Sequence, residues 1–88
     1  MANGEIIQVL GPVVDIAFPE GEAPQILNAI KVEDPDKGID LTLEVEQLTG
    51  NYTVRCIALG PTDGLARGMK AVDLGGPVTV PVGEQTLG

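Results

Sequence analysis

Leu41-Thr42-Leu43-Glu44-Val45-Glu46 is the stretch on which the fold turns. Apolar side chains at 41, 43 and 45 alternate with polar ones at 42, 44 and 46. A period of two puts one set on each face of an extended strand, whereas a helix would need a period near 3.6. Working outward, the same alternation recurs. Val14, Ile16 and Phe18 alternate with Val13, Asp15 and Ala17, and Cys56 stands in one row with Val54 and Ala58. Ile7 and Val9 flank Gln8, and Val78, Val80 and Val82 alternate with Thr79, Pro81 and Gly83. The apolar members of these rows are the predicted interior. Their β-branched content suits a pleated, half-buried surface.

Turn chemistry separates the rows. Gly11-Pro12, Pro19-Glu20-Gly21, Pro35-Asp36-Lys37-Gly38, Thr49-Gly50-Asn51, Gly60-Pro61-Thr62-Asp63-Gly64 and Gly75-Gly76-Pro77 combine glycine's access to positive φ with proline's fixed φ. Strands are therefore predicted over 5–10, 13–18, 25–33, 40–48, 51–59 and 77–82. Residues 69–73 add a short extended piece. Thr62 to Gly68 reads as one helical turn, Thr62 capping it and Gly68 stopping it. The corners fall to Gly11, Gly60, Gly64 and Gly68. Short strands at this spacing suggest a sandwich or a barrel. In so short a chain closure is favoured, because it removes exposed edges. The predicted fold is all-β: a small closed six-stranded antiparallel β-barrel. With no internal repeat and no linker, residues 1–88 read as a single domain.

Composition narrows the function. The 88 residues hold thirteen acids and five bases, a net charge of −8, with twelve Gly, seven Pro, one Cys, one Tyr, one Phe and neither His nor Trp. A domain of this size buries only about 60–65% of its unfolded surface, so a partner surface is expected. The charge argues against a phosphate backbone as ligand. Lack of histidine excludes an imidazole base or a His-type metal site, and a lone cysteine forms no internal disulfide. A base-stacking barrel would need surface aromatics, which Phe18 and Tyr52 do not supply. The start Met1-Ala2-Asn3-Gly4-Glu5 is not basic, and no run approaches the roughly 20 apolar residues of a membrane span. The chain reads as cytosolic, or as starting on the cytosolic side of whatever it joins.

Candidate chemistry is sparse. If Asp34 opened a calcium loop, Ile39 would stand where glycine is needed and Val45 where a bidentate Glu is needed. The stretch 34–40 is better read as a solvated hairpin tip. None of Lys31, Lys37 and Lys70 follows a glycine as a phosphate-binding loop requires. Glu44 and Glu46 share one outward face, where two alike environments do not separate an acid from a base. Cys56, without a histidine partner, reads as a small buried hydrophobe. Catalytic, cofactor-binding and metal-binding residues are accordingly read as none. One alternative is a biotinyl- or lipoyl-type carrier domain modified on Lys70 or Lys37. Gly68-Met69-Lys70-Ala71 echoes the first and Asp36-Lys37-Gly38 the second.

Nearly the whole chain resembles the N-terminal β-barrel, or crown, domain of the F-type ATP synthase β subunit. The likeness runs through Gly11 to Phe18, Asn28-Ala29-Ile30, Leu43-Glu44-Val45 and Thr53 to Ala58. It is strongest in Thr62-Asp63-Gly64-Leu65-Ala66-Arg67-Gly68-Met69 and ends in Pro77 to Gly83 and Thr86-Leu87-Gly88. The α-subunit pattern is similar but lacks the Thr-Asp-Gly-Leu-x-Arg-Gly run. Residues 31–40, acidic and loop-like, depart from the pattern.

The resemblance implies a barrel packed beside α- and β-subunit barrels in a ring that holds the catalytic head together. It also implies a full-length subunit that makes ATP from ADP and phosphate using an ion gradient, with ATP or ADP and magnesium as its ligands. Such a complex would sit on the cytoplasmic side of a bacterial membrane or on a chloroplast thylakoid. The family's phosphate-binding loop, glutamate and arginine have no counterpart here. The chain therefore reads as the barrel without its nucleotide-binding and C-terminal domains, and no enzyme by itself. Arg55 and Arg67 are the bases expected to form ion pairs, within the barrel or with a neighbour.

Overall fold

The computed structural model describes residues 2–50 and 52–78. It contains six strands, β1 Asn3–Leu10, β2 Val13–Ala17, β3 Asn28–Asp34, β4 Ile39–Leu48, β5 Thr53–Ala58 and β6 Lys70–Pro77. They close in the order β1-β2-β5-β4-β3-β6, with every pairing antiparallel. A 3₁₀ turn, Pro35–Lys37, joins β3 to β4. Asp34 caps it by accepting from the Asp36 amide at 3.2 Å, and Gly38 ends it at φ 69°. The acidic stretch is thus a hairpin tip between two long strands, and most of residues 31–40 is strand rather than loop.

The interior is aliphatic. Ile6, Val14, Ile16, Ile30, Val32, Leu43, Val45, Val54, Cys56 and Ala71 are fully buried, and Phe18 and Leu41 nearly so. Each large side chain here contributes about 1.5–3 kcal/mol of burial. The rows predicted at 14, 16, 18, at 41, 43, 45 and at 54, 56 all face inward. The row at 7 and 9 does not. Ile6 pairs with Ile16 and Gln8 with Asp15, so Ile7 is the extra residue of a β-bulge. The bulge turns Ile6 inward, leaves Val9 half-buried against the core and exposes Ile7. Strict alternation fails across such an inserted residue. A second shift, between Val45 and Gln47, isolates Glu46 in the same way.

The sixth strand also differs from its prediction. It is Lys70–Pro77, so the expected short piece at 69–73 is its first half. Glycines 75 and 76 and a single buried residue, Ala71, hide its period. Of the row at 78, 80 and 82, Val78 lies outside the core cluster and the other two lie outside the described residues. The third strand begins at Asn28 rather than 25, because Leu27 stands at φ 77° and breaks extended geometry.

Thr62 to Gly68 is not a helical turn. The Leu65 amide donates to Thr62 O at 3.0 Å and the Met69 amide to Ala66 O at 3.3 Å. These close two consecutive tight turns with Gly64 (φ 89°) and Gly68 (φ 92°) at their third positions, where type II turns need glycine. Gly68 and Met69 together face Ile6: the Ile6 amide donates to Met69 O and the Gly68 amide to Ile6 O. Gly68 thereby forms the left-handed residue of a bulge that starts β6.

Candidate functional site

A barrel filled by side chains has only its outer wall, rims and loops to offer. On the wall, Asp15 and Arg55 stand opposite each other across β2 and β5. Arg55 donates from Nε to Asp15 Oδ1 at 3.0 Å and from a terminal nitrogen to Oδ2 at 3.1 Å, a bidentate fork. This hydrogen bond, reinforced by the charge of Asp15, raises the Arg55 pKa. Asp15 is 8% exposed although it faces outward, because the long guanidinium arm lies over it. Arg55 thus fulfils its expected role within the barrel. Arg67 is exposed in the second tight turn and makes no ion pair among the described residues.

Two further charge groups lie on the same wall. Lys31 reaches Asp40 at 2.6 Å across the β3–β4 hairpin. The hydrogen bond to Asp40 raises the lysine pKa against a smaller opposing effect of desolvation. Glu44 and Glu46 meet at the β4 bulge, where hydrogen bonding to Glu44, then desolvation and like charge, raises the Glu46 pKa. Both glutamates face water, as their alternation predicted, and neither is enclosed. Cys56 is fully buried, and desolvation, then the nearby Asp15 and Glu46 carboxylates, pushes its thiol up to about 12. A thiol so shielded stays protonated and unreactive at neutral pH.

The wall also carries apolar ground. Leu59, Leu74, Pro77 and Val78 line an open groove of about 360 Å³ over Ala29 and Thr42. Leu59 and Leu74 are about half exposed. Leu74 continues into a second groove, about 380 Å³, beside Val72, Lys31 and Lys70. At the rim, Ile26, Leu27 and Leu48 are likewise about half exposed. Of these, alternation singled out Val78 alone, and as an inward residue; it identifies inward rows and is silent on which outward residues are apolar together.

The two carrier lysines are placed differently. Lys37 is exposed in the 3₁₀ turn, whereas Lys70 is the first residue of β6, paired with Glu5 inside a ladder and not at a hairpin tip. The turn glycines 60, 64 and 68 shape the β5–β6 connection, which Thr62 ties to the first hairpin by donating to Gly11 O at 3.1 Å. Among the described residues no three His, Cys, Asp or Glu side chains stand close enough to hold a metal ion. No helix of the described residues is long and apolar enough to cross a membrane.

Residues 6–75 match the family model of the ATP synthase alpha/beta family, beta-barrel domain. The match takes in all of the core, the whole of β2, β3, β4 and β5, and the greater part of β1 and β6. The chain belongs to the ATP synthase alpha/beta family.

Proposed function

As a barrel domain of the ATP synthase alpha/beta family, we propose, this chain is the crown barrel of a β subunit. It works by standing beside neighbouring barrels and so holding the catalytic head together. The β rather than α assignment rests on Thr62-Asp63-Gly64-Leu65-Ala66-Arg67-Gly68, the run that the α pattern lacks. The single observation that supports the assembly role is the apolar outer groove around Leu59 and Leu74, on a wall that a solitary barrel would keep polar. Partners would be α subunits and other β subunits in a complex peripheral to the membrane. Nucleotide, magnesium and the chemistry of ATP formation would belong to the other domains of a full-length subunit. The carrier reading is not favoured, since the family match covers both lysines and Lys70 is held in a strand.

Sedimentation velocity of this chain, alone and mixed with the barrel domain of an α subunit, tests the reading. The mixture is expected to give a faster boundary containing both chains, and Leu59→Asp with Leu74→Asp is expected to remove it. Boundaries that simply superpose at high concentration would count against lateral assembly.

A further inference from the structure

The six strands do not hold the barrel equally. β4 sends Leu41, Leu43 and Val45 into the core, β3 sends Ile30 and Val32, and β2 and β5 each send two large or medium side chains. β6 sends one methyl group, that of Ala71. Its ladders are short as well. It meets β1 at Asn3↔Val72, Gly4↔Ala71 and Glu5↔Lys70, and β3 at Lys31↔Val72 and Ile30↔Asp73. Beyond Asp73 the register breaks until Asn28↔Pro77. The intervening Leu74, Gly75 and Gly76 have no ladder partner among the described residues, and Gly75 stands at φ 83°.

We propose that β6 is a releasable closing strand. It leaves the barrel as a unit at a free energy below that of global unfolding, and β1-β2-β5-β4-β3 remains as a continuous sheet. The cost of local opening follows the apolar surface and ladder bonds given up, and β6 gives up the least of both. Its two adjacent glycines regain the most backbone freedom on release. β1 also buries a single large residue, Ile6, but its pairing with β2 runs from Glu5↔Ala17 to Leu10↔Val13, so the boundary of the opening unit falls at β6. Release opens a slot between β1 and β3 whose backbone donors and acceptors are then free to pair with water or another strand. This goes beyond the assembly reading and does not depend on it.

Native-state hydrogen exchange on the whole 88-residue chain decides the matter. The seam reporters are the amides of Ile6, Gly68 and Asp73, which donate to Met69 O, Ile6 O and Ala2 O. They are expected to be on the order of 100-fold less protected than the β5 amides, with little dependence on dilute denaturant. Protection and denaturant dependence equal to those of β5 would overturn the proposal. A second arm uses Asn3→Cys with Val72→Cys, a directly opposed pair across the seam. Once the disulfide forms, protection of the seam amides should rise to the β5 level while β5 itself is unchanged. Seam amides that stay weak in the cross-linked chain would equally overturn it.

Discussion

Leu27 is the non-glycine residue with positive φ among the described residues, at 77°. A branched side chain in that region costs about 1–2 kcal/mol. What holds it there is its amide, which donates to Val45 O at 2.7 Å and docks the loop before β3 onto β4. Since the side chain is half exposed, Leu27→Gly should keep that bond and raise stability by about 0.5–1 kcal/mol once the added freedom of the unfolded chain is subtracted. Urea denaturation checks this, and a lower midpoint would mean that the apolar side chain matters more than the strain. Glu46 gives a pH-dependent case. Its folded pKa lies above the ordinary 4.5, so the protonated form is favoured in the fold and ionising it beside Glu44 is unfavourable. Any stability from this group is present below pH 4.5 and lost as pH rises through the raised value. Glu46→Gln should therefore melt higher than the parent at pH 7, with the gain vanishing as pH falls below 4.5. Melting curves across that range read it directly. Positive φ at leucine has no sequence signal, whereas the shared outward face of Glu44 and Glu46 was read from alternation; what the alternation does not show is the bulge at Glu46.

At the scale of the element, β1 shows what alternation can and cannot tell. It correctly read an extended strand at the start of the chain, and it chose the wrong inward residues because Ile7 is inserted as a bulge. Two consecutive isoleucines, Ile6 and Ile7, satisfy either phase, so only the pairing with β2 selects one. Gly4 is the second constraint on this strand. A Cβ there would lie 2.8 Å from Ile16 Cγ2, 2.9 Å from the Ala17 carbonyl oxygen and 2.9 Å from Phe18 Cε2. Because one of these is backbone, the contact cannot be relieved by a rotamer change. Gly4→Ala should cost about 1–3 kcal/mol, measurable as a lower thermal midpoint. An unchanged midpoint would show that β1 shifts outward at no cost. β6 was legible only in part, as an extended piece at 69–73. Its glycines and single inward methyl leave no period to find, and these same features make it the weakest wall of the barrel.

For the whole molecule, closure is what makes a core of aliphatic side chains sufficient. Val14 lies at 0% exposure with Ile6, Ile16, Val54 and Cys56 in one cluster, and among the described residues no cation is buried with them to meet a carboxylate. Val14→Asp should leave the chain unfolded near neutral pH, since an unpaired buried charge costs more than a small domain's entire margin. Far-ultraviolet circular dichroism checks it, and a cooperative melt near the parent's would refute the inward assignment. Local sequence rules alone yield the class, most strand positions, the central inward rows and most of the turns, though not the form of Thr62 to Gly68 nor the strand through Gly75 and Gly76. Each of these follows from local rules: a two-residue side-chain period, and the φ preferences of glycine and proline. The family likeness was legible too, since its motifs are contiguous runs. Tertiary structure alone decided the phase of β1, the identity of the sixth wall, the Asp15–Arg55 fork and the apolar groove that joins Leu59 to Leu74. Those depend on which strands become neighbours and where a residue is inserted between them. The phase of β1 is set by its hairpin with β2, whereas the fork comes from pairing residues forty positions apart in the chain.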